Sequence, residues 1–212
     1  MKILVLGASK GVGLETVKAG LDSGHDVRAF ARSASKMNID HDALERVDGD
    51  ATNTEDIIGA LDGVDAVVET LGVPLSASTV IGGTNLYSTV GRILVDAMEQ
   101  RGPKRLIAVT GLGAGNARDH LGPLFSIGFQ FSLKRIYDDK DIQEQIIKRS
   151  SLAWTIARPG ILRDGETTGL YQVLTDPTTW RVGDVRRADV AHFVIEELET
   201  DRYMHQTPLL IS

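Results

Sequence analysis

The chain has 212 residues, 42 % hydrophobic and 25 % charged, the length and make-up of one folded globular domain rather than a disordered or collagen-like polymer. Its 23 basic and 29 acidic side chains leave a net charge of -6, so no global attraction draws it to nucleic acid. The absence of cysteine excludes disulfides, thiolate nucleophiles, Cys-ligated zinc and iron–sulfur clusters.

The first apolar run, Ile3–Leu6, begins too early for a charged leader with a long apolar core, and no run approaches the length of a membrane span. The cytoplasm is therefore the expected location, without a membrane partner. Further β-branched runs at Val27–Phe30, Ala66–Val68, Leu106–Val109, Trp154–Ile156 and Leu209–Ile211, with a weaker one near Arg46–Val47, read as parallel strands. Between them Gly13–Ser23, Thr54–Leu61, Tyr87–Gln100, Leu133–Arg149 and Arg187–Leu198 have helical character. This alternation predicts an α/β fold, a Rossmann-type doubly wound parallel sheet in one domain over 1–212. Thr52-x-x-Glu55 fits a capping box, and Gly24 and Gly102 sit where C′ glycines end helices. Gly111–Leu124 and Gly160–Gly183 are expected as long loops at carboxyl ends of strands, where open sheets bind ligands.

Gly7-Ala8-Ser9-Lys10-Gly11-Val12-Gly13 lies between the first strand and the first helix. In such a loop Gly7 makes the sharp turn, Gly11 lets backbone approach a pyrophosphate, and Gly13 lets the helix pack on the sheet with its N-terminus toward the phosphates. A merely tight turn is the alternative. Where the second strand ends, a carboxylate for the ribose hydroxyls of NAD is missing, and Arg32 stands instead. With Lys10 it suits a 2′-phosphate, which favours NADP over NAD; solvated surface cations are the other reading. Asp50, followed by Ala51, can accept the adenine amino group or simply sit as an acid near a helix start. Leu71-Gly72 is placed to pass beneath the adenosine ribose.

These segments, with Val109-Thr110-Gly111 and Trp154-Thr155-Ile156-Ala157-Arg158-Pro159-Gly160, resemble the atypical short-chain dehydrogenase/reductases. The branch most similar is the NAD(P)H-binding one that includes biliverdin-IXβ/flavin reductase and NmrA-like proteins. Arg186-Arg187-Ala188-Asp189-Val190-Ala191 also resembles the closing helix of that family. The resemblance implies a Ser or Thr after the fifth strand and a Tyr and Lys four residues apart on the next helix. Here Thr110 is followed by Gly111, and Tyr137 and Lys140 are only three apart. Counted back from Arg158-Pro159-Gly160, Lys140 matches the family's polar position facing the nicotinamide, so Tyr137 is not expected to be the proton donor.

Thr110 and Lys140 are the candidate catalytic residues, also placed to touch the cofactor; ordinary strand-end capping and a surface lysine among Asp138, Asp139, Asp141 and Glu144 are the alternatives. By resemblance the backbone of Pro159-Gly160-Ile161 meets the carboxamide. Leu124–Phe131 can stack a planar acceptor or form core or a dimer seam, and either a monomer or a homodimer fits. The five histidines show no metal-ligand spacing; His25 and His41 are expected at the surface and His120 in a substrate loop. The resulting expectation is an NADPH-dependent oxidoreductase passing hydride to a small planar or carbonyl acceptor (flavin, quinone, tetrapyrrole or aldehyde). The alternative is a non-catalytic NADP(H)-binding redox sensor. A third reading, an epimerase of nucleotide-linked substrates, meets little room for a substrate domain after Gly160.

Overall fold

The computed structural model describes residues 1–73, 82–120 and 133–212. Six strands, β1 (Lys2–Leu6), β2 (Asp26–Ala31), β3 (Leu44–Asp48), β4 (Ala66–Glu69), β5 (Arg105–Val109) and β6 (Ala153–Pro159), join the late β10 (Leu209–Ile211) in parallel, and β8 (Gln172–Leu174) closes the edge antiparallel to β10. The order is β3-β2-β1-β4-β5-β6-β10-β8. A separate parallel pair joins β7 (Ile161–Arg163) to β9 (Asp184–Arg186). The chain leaves β1 toward β2 and β3, then returns to β4 on the other side, so the direction of winding reverses between β1 and β4. Loops from those two strands diverge there and open a crevice at the carboxyl edge.

Alternation along the strands builds two cores. Ile3, Val5, Val27, Ala29 and Val68 face α1 (Gly11–Asp22) and α5 (Arg187–Thr200), with Val17, Phe193 and Val194 completing that layer. Leu4, Leu6, Phe30, Val67 and Leu106 face the other side, covered by α2 (Thr54–Ala60), α3 (Leu86–Arg101) and α4 (Lys134–Arg149).

The structure corrects several local expectations. The weak strand near Arg46–Val47 is five residues long and pairs with β2 from Val27 to Ala31; only its Leu44 is buried, which is why its apolar pattern is faint. The cap of α2 is Asn53, whose side chain accepts from the amides of Glu55 and Asp56, not Thr52. Thr52 is turned upstream, its amide and hydroxyl both donating to Asp50. Gly24 is left-handed at φ +77° as expected, but Gly102 is extended at φ -96°; glycine is needed there because a Cβ would lie 2.9 Å from the Cα of Met98. Gly160–Gly183 is not one loop, since β7, β8 and a 3-10 turn at Pro177–Thr179 occupy it. His25 is buried rather than on the surface, its Nε2 3.0 Å from Glu199. The Leu124–Phe131 stretch lies outside the described residues, and His120 ends a 3-10 turn, Gly115–His120.

Candidate functional site

The glycine loop leaves β1 and enters α1 at the crevice beside β4. Gly7 turns at φ +84°, its amide and that of Ala8 donating to the carbonyl of Phe30. A Cβ on Gly7 would stand 3.0 Å from the carbonyl oxygen of Thr70, and one on Gly13 would stand 2.3 Å from that of Gly7. Gly7 and Gly13 are therefore steric necessities that seat α1 against the ends of β1 and β4. Gly11 differs: it has φ +58°, and among the described residues a Cβ there would meet only the side chain of Arg187, whose Nε is 3.8 Å away. Lys10 is the N-cap of α1, no side chain caps it, and its first turn carries no acid. An uncapped helix start beside open space suits an anion.

Around this loop, Arg32 is exposed just beyond β2 and its guanidinium makes no hydrogen bond or ion pair among the described residues; Lys10 is equally free, and Ser9 and Val12 complete the turn. Hydrogen bonds from the amide and hydroxyl of Thr52, with the charge of Arg32 behind them, hold the Asp50 carboxyl below its usual range. Asp50 is exposed and Ala51 buried, and Asp50 Oδ1 already serves Thr52. Leu71 and Gly72 follow β4, and no atom of the described residues lies within 4 Å of where a Gly72 Cβ would be.

At the neighbouring strand ends a buried polar cluster forms. Thr110 is buried, its hydroxyl donating to Glu144 Oε1 at 2.8 Å, while Lys140 Nζ donates to the carbonyl of Thr110 at 2.5 Å. Lys140 is buried too, 4.7 Å from the Tyr87 ring centroid and 5.6 Å from that of Tyr137. The two candidates are thus brought together, and the surface-lysine alternative is excluded. Tyr137 also accounts for Gly111: a Cβ there would sit 2.7 Å from the tyrosine oxygen. Burial pushes the Lys140 ammonium down to about 8, against the opposing charges of Glu69 and Glu144. Burial likewise raises Glu69 to about 7, against Lys140 and the 2.5 Å hydrogen bond from Gln143 Nε2. In both groups the loss of water outweighs their mutual attraction.

Several members of this cluster are missing from the sequence reading. Glu69, an acid closing an apolar strand, is itself a visible signal of a polar strand end. Glu144 is named there only as a neighbour of Lys140, yet it holds Arg158 at two points, and Arg158 Nη1 also donates to Asn116. Asp139 caps α3 from the facing helix, accepting from the amides of Tyr87 and Ser88. Tyr87 in turn accepts from the Val73 amide, one residue past Gly72. At the end of β6, the amides of Gly160 and Ile161 donate to Leu210 and Gly183, and the carbonyl of Pro159 accepts from Leu112. Those groups knit the sheet edge. Among the described residues no group of His, Asp and Glu could hold a metal ion, and no helix is long and apolar enough to cross a membrane.

A family model described as NAD(P)H-binding matches residues 7–201. An uncharacterized sugar epimerase of Bacillus subtilis (strain 168), YhfK, is 30 % identical over 203 residues, covering 94 % of this chain and 88 % of its own. Among solved structures, ChuY, an anaerobillin reductase from Escherichia coli O157:H7, is 27 % identical with a TM-score of 0.80, covering 100 % of this chain and 97 % of its own. A short-chain dehydrogenase/reductase of Veillonella parvula DSM 2008, solved with NADP, has a TM-score of 0.82 at 15 % identity over 100 % and 94 % of the two chains, a likeness of fold. The winding of the sheet, the glycine loop at its reversal point and these matches agree: the chain belongs to the NAD(P)H-binding family, among the atypical short-chain dehydrogenase/reductases.

Proposed function

We propose that the protein is an NADPH-dependent reductase that passes hydride to a planar or carbonyl acceptor of the flavin, quinone, tetrapyrrole or aldehyde class. The observation that carries this reading is the pairing of the uncapped start of α1 at Gly11 with two cations that are unpaired among the described residues, Lys10 and Arg32, where a 2′-phosphorylated dinucleotide would place its phosphates. The likeness to an anaerobillin reductase supports reduction over other chemistry. The nicotinamide supplies the hydride when bound; the protein's part is to bind, orient and exclude water. Lys140, buried beside Thr110, would favour negative charge on a reduced acceptor, and burial lifts the Glu69 carboxyl in the same cluster to about 7.

A second reading, an NADP(H)-occupied sensor without turnover, is favoured by one observation: the Thr110 hydroxyl and the Lys140 ammonium both already have protein partners. NADPH oxidation against flavins, quinones, biliverdins and aldehydes separates the two. A reductase turns over at least one acceptor, and Lys140→Met then lowers kcat about tenfold or more while NADPH affinity falls less. No turnover by the wild type across the panel, with tight NADPH binding, favours the sensor over the reductase.

A further inference from the structure

We infer that Arg187 is a second binding residue for the diphosphate of the dinucleotide, delivered to the glycine loop by the first turn of α5 and paired with Asp164 until the diphosphate displaces it. The inference rests on the cofactor reading above and adds to it a side chain from the far end of the chain. Helices α1 and α5 share one core and both begin at the carboxyl edge of the sheet, so the first residue of α5 stands beside the first residue of α1. Arg187 Nε and Cδ lie 3.8 and 4.0 Å from the position of a Gly11 Cβ, the only atoms of the described residues within 4 Å of it apart from its chain neighbours and the helix backbone. The guanidinium therefore borders the space that a phosphate must enter to reach the amides of the loop.

That placement is built, not incidental. Asp189, buried in the same turn, accepts from the amides of Thr168 and Gly169 at 2.7 and 3.0 Å and from the Thr168 hydroxyl at 2.9 Å. Arg186 Nη1 donates to the carbonyl of Glu166 at 3.0 Å. The loop thus fastened presents Asp164, whose Oδ1 lies 2.6 Å from Arg187 Nη1. The Asp164 side chain is 94 % exposed and that of Arg187 29 %. Nε, the Arg187 nitrogen nearest Gly11, has no hydrogen-bond partner among the described residues. A pair with a solvated carboxylate is weak. A guanidinium fork on a diphosphate, which carries more charge and more acceptor oxygens, is the stronger pairing. Asp164 accordingly holds Arg187 in the free protein and competes with the diphosphate, which must displace it.

The test is titration of the wild type, Arg187→Met and Asp164→Asn with NADPH and with NADH. Arg187→Met should raise Kd for both by the same factor, about tenfold or more, the scale of one charge-assisted hydrogen bond. Asp164→Asn should lower both. Unchanged affinities in Arg187→Met, or a loss confined to NADPH, overturn the assignment while leaving the cofactor site intact. Wild type that binds neither dinucleotide overturns the reading of the site itself. If Arg187→Met does not fold, the exposed Asp164→Asn decides: tighter binding of both dinucleotides upholds the inference, and unchanged or weaker binding overturns it.

Discussion

Arg158 grips Glu144 at two points, Nη2 to Oε2 at 2.6 Å and Nε to Oε1 at 3.0 Å, with the two side chains 0 % and 1 % exposed. Burial alone would raise the Glu144 carboxyl, but the hydrogen bonds and charge of Arg158, with Lys148 beside it, hold it below the usual range. Arg158→Met leaves that carboxylate in the core with too few partners, and should cost about 3–5 kcal/mol in denaturant unfolding. Adding Glu144→Met should restore most of the loss, since an apolar pair carries no desolvation cost. A double variant as unstable as the single would show that packing, not charge, is what the pair provides.

Glu69 gives the opposite dependence on pH. Its carboxyl titrates near 4.5 ordinarily and at about 7 when folded, so between these values the folded chain keeps a proton that the unfolded chain has released. Stability should fall as pH rises through this window, by about 3 kcal/mol in all, and level off above it. Glu69→Gln should flatten the curve there. Lys140, ordinarily 10.5 and about 8 when folded, should make stability climb again between those two values, as the buried ammonium loses its proton, and Lys140→Met should remove that rise.

The glycines of the phosphate loop should separate into two kinds. Gly13→Ala drives a methyl against the carbonyl of Gly7, and overpacking of this sort costs about 1–3 kcal/mol or more; the measurable loss is of thermal stability. Gly11→Val brings its Cβ only into ordinary contact with the Arg187 side chain but sits on a left-handed backbone, a strain of about 1–2 kcal/mol. Its circular dichroism should stay close to wild type while NADPH binding is lost. Normal binding by Gly11→Val would falsify the placement of the phosphates.

Arg32→Ala should weaken NADPH by about 1.5–3 kcal/mol, the value of a hydrogen bond to a charged group, and NADH far less. Paired calorimetric titrations measure the difference. A wild type that prefers NADH removes Arg32 from the 2′ position.

The strands and helices were legible because nearly all are buried on an alternating or helical pattern, and the glycine loop because its glycines are closely spaced between a strand and a helix, although the contact that requires Gly7 is with Thr70, far along the chain. Edge strand β3 was faint because solvent covers most of it. The polar cluster was only partly readable: Thr110 and Lys140 emerged through a resemblance, but the Glu144 carboxylate is joined to Thr110 and to Arg158 by the fold, not by spacing. Likewise Arg187, 176 positions beyond Gly11, reaches the loop through the packing of α5 on α1, a relation no local pattern carries. Thr52 misled because its hydroxyl had a competing acceptor in Asp50, two residues upstream.

The pairing of α1 with α5 also bears on how the chain acquires its structure during synthesis. Val17 and Leu21 of the first helix are covered by Phe193, Val194 and Leu198 of the last. The glycine loop leaves the ribosome well before the last helix, and the layer behind it stays open until Arg187–Thr200 has emerged. Contacts of such long sequence separation are slow to form, and meanwhile an apolar helix face is exposed. A polypeptide halted before Arg187 would carry every glycine of the loop and lack the platform that holds them in place.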